Sequence, residues 1–240
     1  MTDMKRLDLA VPAESRSKAQ ELIKSRNVKV NGEVITKPSA LVSEEAEIEI
    51  VSAPKYIGRA GYKLEAAAEA FGIDFTGLVC LDAGASTGGF TDLMLQKGAR
   101  KVYAVDVGEN QLHDSLRANS RVISIEKQDI RTFILDSEYE LVDFIAADLS
   151  FISLKLIIPC FANLLKPEGR CVVLIKPQFE IGKRYFKNGI VTDKKLIGSI
   201  VRDIETFISE CRYEIIGTVE SKLNEKGRNS EFLCYFKVKS

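Results

Sequence analysis

The sequence predicts an α/β protein. Its larger part is a seven-stranded, mostly parallel sheet covered by helices and closed by an antiparallel last hairpin, and a small α+β unit precedes it. Three observations carry this. Beyond Gly77, apolar runs of strand length recur with helical segments between them, the pattern of a parallel sheet buried on both faces. The last two runs, "YEIIGTVE" and "EFLCYFKV", have no helix between them, so they can pair antiparallel at the sheet edge. The first fifty residues follow neither rhythm, holding short elements and a cation-rich stretch from Lys5 to Lys37.

In chain order, Ser17 and Gln20 bracket a capping-box pattern, and Ala19, Leu22 and Ile23 share one face of the helix it would open. Asn31 and Gly32 stand between two apolar-flanked arms, the signal of a type I′ hairpin turn. "EIEIV", from Glu47, alternates as a half-buried strand does. Between Lys5 and Lys37 eight Lys or Arg stand against four acids, which suits either a polyanion or a solvated helix face. "SAPKYIGRAGYK" reads as a linker entering a helix with Leu64, Ala68 and Phe71 on one side. The strands "LVCLDA", "KVYAVDV", "VISIE", "LVDFIAA" and "CVVLIK" follow, with helical segments near 90–97, 110–118 and 155–165, and a long helix near 195–211 before the hairpin. The expected division is a small unit at 1–53, a linker at 54–62 and the sheet domain at 63–240.

Composition narrows the function. Basic and acidic residues balance at 34 each, so a site for a polyanion must come from local segregation. The five cysteines, Cys80, Cys160, Cys171, Cys211 and Cys234, are scattered and mostly within apolar runs. They suit buried thiols of a reducing compartment, not a disulfide framework or a metal site. One histidine, His113, leaves a His-based metal centre or catalytic triad little to build on. The start lacks a signal-peptide core, and no apolar run nears the roughly 18 residues of a spanning helix. A soluble cytoplasmic protein without a metal is the expectation.

The chemistry concentrates at "LDAGASTGGF", residues 81–90, the first strand-loop-helix of the sheet and the usual ligand seat of such folds. Gly84, Gly88 and Gly89 spell GxxxGG, neither GxGxxG nor GxxxxGK[ST], and Phe90 stands where a P-loop would have its Lys. Asp82 ahead of the loop would repel pyrophosphate, so a phosphate-free ligand carrying positive charge suits it better. Asp106 ends the second run, where an acid takes ribose hydroxyls. Asp129, after the third, could receive an adenine amine or cap a helix. This ordered set points to S-adenosylmethionine. The expected contacts are Asp82, Gly84, Ala85, Ser86, Thr87, Gly88, Gly89 and Phe90, then Asp106 with Val107, Asp129 with Ile130, and Asp148.

"LDAGASTGGFTDLML", "ADLSFISL" and "LIKPQFEIGK" resemble the hemolysin A family, also called TlyA, which is similar in turn to the FtsJ-type RNA ribose 2′-O-methyltransferases. The resemblance covers nearly the whole chain. "RLDLAVPAESRSKAQELIKSRNVKVNGEVITKPSALV" resembles the family's S4-type RNA-binding domain, shortened between Arg6 and Ser15 so that its first helix is clipped. The resemblance implies a Rossmann-like class I methyltransferase domain, S-adenosyl-L-methionine as cofactor, and 2′-O-methylation of RNA, with a cytidine of ribosomal RNA as the family's target. The family's Lys-Asp-Lys-Glu tetrad transfers to Lys63, Asp148, Lys176 and Glu231.

The pattern of residues supports those positions. Asp148 and Lys176 each close an apolar run at the ligand edge, and Glu231 opens the last antiparallel strand; any one alone could be a solvated strand cap. Lys176 is expected to orient or deprotonate the attacking hydroxyl, Asp148 and Glu231 to hold the lysines, and Lys63 to balance their charge. "EIGKRYFKNGIVTDKK" adds Lys183, Arg184, Lys187, Lys194 and Lys195 with Tyr185 and Phe186, either a surface loop or a place for phosphates and a stacked base. Three rivals fare worse. A membrane-lytic protein, suggested by the family name, lacks a spanning segment; an RNA-binding protein with an inactive methyltransferase fold is opposed by the complete tetrad; a nicotinamide dehydrogenase lacks its GxGxxG.

Overall fold

In a computed structural model of the chain, the residues described are 4–13, 15–24, 26–51, 55–135, 139–181, 189–221 and 229–239. They form two compact units, Met1–Lys55 and Tyr56–Ser240.

The smaller unit runs β1 (Met4–Arg6), α1 (Leu7–Ala10), α2 (Arg16–Lys24), β2 (Val28–Val30), β3 (Glu33–Val34), β4 (Leu41–Ser43) and β5 (Ile48–Ile50). Strand β1 pairs with β4, and β2 lies between β3 and β5, all antiparallel. Helix α1 is a single turn because Val11, held extended at ψ 127°, precedes Pro12, which disfavours helix at the residue before it. Helix α2 starts earlier than the capping-box reading has it: the Lys18 N–H donates to Ser15 Oγ at 3.2 Å, so Ser15 and not Ser17 supplies the cap. Asn31 (φ 50°) and Gly32 (φ 83°) are both left-handed, as a type I′ turn requires. Leu7, Ala19, Ile23, Val28 and Val42 make the core.

Beside that core lies a buried carboxylate. Asp8 accepts from Arg6 Nε (3.0 Å) and Nη2 (2.9 Å), from Arg16 Nη2 (3.1 Å) and from Gln20 Nε2 (2.8 Å). The bond from Arg6, aided by those from Gln20 and Arg16, holds its carboxyl well below the usual carboxylate range.

The larger unit runs α3 (Ala60–Phe71), β6 (Val79–Ala83), α4 (Gly89–Gln96), β7 (Lys101–Val105), α5 (Asp114–Arg117), β8 (Val122–Ile125), β9 (Val142–Ala147), β10 (Leu165–Ile175), α6 (Pro177–Glu180), α7 (Lys194–Glu210), β11 (Tyr213–Glu220) and β12 (Phe232–Val238). The sheet order is β11-β12-β10-β9-β6-β7-β8. Strands β10 to β8 are parallel, and β12 is antiparallel to both its neighbours. This is the Rossmann-like sheet that the sequence predicts. Leu81, Tyr103, Ile145, Val173 and Phe236 pack one face with Ile204 and Ile208 of α7. Leu64 of α3 and Phe90 and Met94 of α4 cover Phe144, Leu174 and Leu233 on the other.

The last hairpin lies at the sheet edge as expected, with β11 outermost and β12 between it and β10. Three details depart from expectation. The helix expected over 155–165 is two 3₁₀ turns, Leu154–Leu156 and Ile158–Asn163, because Pro159 removes an N–H and crowds the preceding turn. The helix expected over 110–118 is confined to α5, whose first turn is capped where the Ser115 N–H donates to His113 Nδ1. Residues 56–62, placed in or beside the linker, belong to the larger unit: Tyr56 is buried and the Ile57 N–H donates to Asp92 Oδ2 at 2.8 Å.

Burial pushes the thiols of Cys80, Cys171 and Cys234 up, which makes them poor nucleophiles. Among the described residues no helix is long and apolar enough to cross a membrane, and no group of three or more His, Cys, Asp or Glu could hold a metal ion.

Candidate active site

Strand order turns at β6: the chain adds β7 and β8 on one side, then crosses to β9 and β10 on the other. Such a switch opens a crevice outside the carboxyl ends of the strands. Two adjoining cavities lie there. One, of about 420 Å³, is lined by Asp106, Val107, Gln111, Gln128, Asp129 and Ile130 together with Leu149 to Ile152. The other, of about 210 Å³, is lined by Ala60, Asp82, Thr87, Gly89, Phe90 and Lys176. Both include Gly84, Ser86, Asp148 and Ser150.

The loop 84–88 is shaped by close packing. Gly84 has φ 84°, and a Cβ there would stand 2.8 Å from the Asp148 carbonyl oxygen and 2.9 Å from Leu149 Cδ2. Gly88 has φ 95°, and its missing Cβ leaves room for Leu112 and Leu116. The lack of a side chain at Gly88 therefore serves packing against Leu112 and Leu116. Gly84→Ala is expected to cost about 2–4 kcal/mol, from the left-handed backbone and from overpacking, lowering Tm by roughly 5–10 °C. Thermal unfolding of the variant measures this, and an unchanged Tm would refute the packing account.

The acids along the crevice have different surroundings. Asp82 is 1 % exposed; Thr91 donates its N–H (2.8 Å) and hydroxyl (2.7 Å) to Oδ2, and burial pushes the carboxyl up to about 7. It ties α4 to β6 and is not the open charge that sequence reasoning placed before the loop. Asp106 closes β7 and accepts from the Ser86 N–H (2.8 Å) and the Gly108 N–H (2.7 Å), which fixes its orientation and leaves further lone pairs free. Asp129 pairs with the Arg131 side chain and accepts its backbone N–H, capping a turn rather than a helix. That side-chain bond holds Asp129 below its ordinary value.

The four residues of the expected tetrad come together. In the antiparallel pairing of β10 with β12, Ile175 lies opposite Phe232, which sets Lys176 across from Glu231. In the parallel pairing of β6 with β9, Ala83 lies beside Ala147, which sets Asp148 next to Gly84. Lys63, one turn into α3, bridges the two carboxylates: its Nζ is 2.7 Å from Glu231 Oε2 and 3.4 Å from Asp148 Oδ2. Lys176 Nζ lies 2.6 Å from Asp148 Oδ1 and donates to Ser150 Oγ at 2.9 Å. The result is a run Glu231, Lys63, Asp148, Lys176 of alternating sign. All four side chains are one-fifth exposed or less, so solvent screens them weakly.

Sequence reasoning missed Ser150 as the second partner of Lys176, although it sits inside "ADLSFISL". It also missed Phe151, 90 % exposed at the cavity lip and 5.0 Å, ring to ring, from Phe179. Of the basic loop, Lys183, Arg184, Tyr185, Phe186 and Lys187 lie outside the described residues. Lys194 and Lys195 open α7, with the Lys195 N–H donating to Asp193 at 2.8 Å.

Known proteins resemble the chain across both units. The model of the FtsJ-like methyltransferase family matches residues 56–238, and that of the S4 domain matches residues 5–48. The chain is 41 % identical over 227 residues to Hemolysin A of Brachyspira hyodysenteriae, covering 93 % of this chain and 94 % of that protein. It is 36 % identical over 231 residues to the 16S/23S rRNA (cytidine-2′-O)-methyltransferase TlyA of Mycobacterium tuberculosis, covering 95 % and 86 %. A solved Streptococcus thermophilus structure carrying a hemolysin label superposes with a TM-score of 0.77 at 34 % identity, covering 100 % of this chain and 90 % of that one. The chain belongs to the FtsJ-like methyltransferase family, with an S4 domain ahead of its methyltransferase domain.

Proposed function

We propose that the protein transfers the methyl group of S-adenosyl-L-methionine to a ribose 2′-hydroxyl of RNA, with a cytidine of ribosomal RNA as the target that its Mycobacterium tuberculosis relative suggests. The observation that carries this is the alternating run Glu231, Lys63, Asp148, Lys176 beside a cavity suited to a nucleoside. Among the described residues no Lys or Arg lines the larger cavity, so they offer a pyrophosphate no countercharge there, whereas uncharged hydroxyls suit Asp106. In this reading Asp106 takes the ribose hydroxyls, Val107, Asp129 and Ile130 border the adenine, and the 84–90 loop with Asp148 holds the methionine end.

When bound, S-adenosylmethionine supplies a methyl carbon made electrophilic by its sulfonium. The residues of this chain align the acceptor. Lys176 donates to the attacking oxygen from a position held by Asp148 and Ser150, and such positioning is worth several kcal/mol. Lys63 keeps Asp148 and Glu231 from repelling each other. The hydroxyl proton would go to a carboxylate of this run, Asp148 or Glu231, because both lysines already serve as donors.

RNA is the acceptor because a 2′-hydroxyl distinguishes it from DNA. The S4 domain supports this, since Arg6 and Arg16 are about half exposed beside Asp8 and guanidinium forks suit phosphates. The Phe151 ring offers a stacking surface at the lip. Phe151→Ala is expected to raise KM for RNA on the order of tenfold and to weaken donor binding by less, since the ring also borders the larger cavity, a split that steady-state kinetics reads directly. The function itself is tested by tritiated methyl transfer to ribosomal subunits and to naked ribosomal RNA, followed by mapping of the modified nucleotide. Absence of transfer to any RNA would end the reading.

A further inference from the structure

We infer that Glu180 is a positioning residue, whose carboxylate latches the loop walling the donor cavity onto the helical turn that begins at Lys176. This rests on the methyltransferase reading and adds a residue to it. From Asp148 to Ser153 the chain has no regular structure, yet Asp148, Leu149, Ser150, Phe151 and Ile152 line the larger cavity. Within it Phe151 has φ 65°, a left-handed conformation that a bulky residue keeps only where its surroundings impose it.

Two anchors impose it, and both come from one short stretch. At the near end Lys176, the residue before α6, holds Asp148 and Ser150. At the far end Glu180, the last residue of α6, accepts the Ser153 hydroxyl at 2.5 Å on Oε2 and the Leu154 N–H at 2.9 Å on Oε1. Burial raises the Glu180 carboxyl above its ordinary value, which marks it as a group taken out of water for these two bonds. Phe179 of the same turn meets the Phe151 ring. The loop is therefore clamped at two points by α6, and the cavity wall moves with the residue that orients the acceptor. The other tie of this segment, Lys155 to Asp203 at 2.6 Å, is exposed on both sides and provides a control.

The chemistry makes the latch separable from bulk. Glutamine at 180 keeps the shape but removes the charge and one acceptor oxygen, so the Leu154 N–H would keep only a neutral acceptor and Ser153 would have to turn its hydroxyl to accept from the amide. Ser153→Ala removes only the hydroxyl. The test measures S-adenosylhomocysteine affinity by calorimetry, and kcat and KM for S-adenosylmethionine on RNA, for wild type, E180Q, S153A, the double variant and K155A. Glu180→Gln is expected to weaken S-adenosylhomocysteine binding and raise the donor KM on the order of tenfold, because small displacements at a reacting centre are costly. Ser153→Ala should shift both in the same direction, the double variant should be no worse than E180Q, and K155A should match wild type. Should E180Q fail to fold, S153A carries the test. Wild-type donor affinity and kinetics in E180Q or S153A, multiplying effects in the double variant, or an equal loss in K155A would overturn the inference. Failure of wild type itself to bind S-adenosylhomocysteine would overturn the function, and the inference with it.

Discussion

Lys176→Ala is expected to slow methyl transfer by about a thousandfold, within the range for loss of a positioned donor or base, and to weaken S-adenosylhomocysteine binding by no more than about the tenfold expected of Glu180→Gln. The split follows from the geometry. Lys176 borders only the smaller cavity, through which the methionine end reaches the tetrad, whereas the larger cavity is lined without it. Its loss therefore removes a contact to the attacking oxygen more than a contact to the donor. Alanine also leaves Asp148 with Lys63 at 3.4 Å as its remaining partner among the described lysines, so the carboxylate is not stranded and the fold should survive. Lys176→Arg should not restore the rate, because a planar fork cannot occupy the position of a compact ammonium already held by Asp148 and Ser150. Single-turnover transfer with saturating donor makes the measurement, and a normal rate in the alanine variant would remove Lys176 from its role.

How much of this was legible in the sequence depends on the range of the interaction involved. The strands were legible because burial on both faces makes them continuous apolar runs, and the hairpin at Asn31-Gly32 because two left-handed residues in succession require that chemistry. Lys63, Asp148, Lys176 and Glu231 were found by their family pattern and by where strands end. What brings Glu231 to Lys176 is the insertion of β12 beside β10, a choice of neighbour that local pattern does not encode. Gly88 shows the same limit from another side: its glycine was visible, but that Leu112 and Leu116 fill the space depends on contacts made across the fold. Asp82 looked like an open charge because the acceptance of both Thr91 donors is invisible along the chain. Glu180 drew no attention as part of "LIKPQFEIGK", since its partners Ser153 and Leu154 lie more than twenty-five residues earlier.

Lys63→Met is expected to separate the two roles of the tetrad, stability and chemistry. Lys63 is the one described cation within 4 Å of both Asp148 and Glu231, and removing it leaves two carboxylates facing each other across a partly buried gap. Stranding a fully buried charge costs about 3–5 kcal/mol. The side chains here are 14–20 % exposed, and solvent screening reduces the figure to about 2 kcal/mol, or roughly 5 °C in Tm for a domain of this size. Transfer should fall about a hundredfold or more, because Glu231, left without Lys63, would then compete with Asp148 for Lys176 and pull it from its position. The double variant Lys63→Met with Glu231→Gln removes one charge of each sign, so it should recover most of the lost Tm while transfer stays low. If the double variant recovers activity with stability, the run acts only as a structural clamp. If neither variant loses stability, the carboxylates are already hydrated, and charge alternation does not explain why four ionised groups sit together at the end of this sheet.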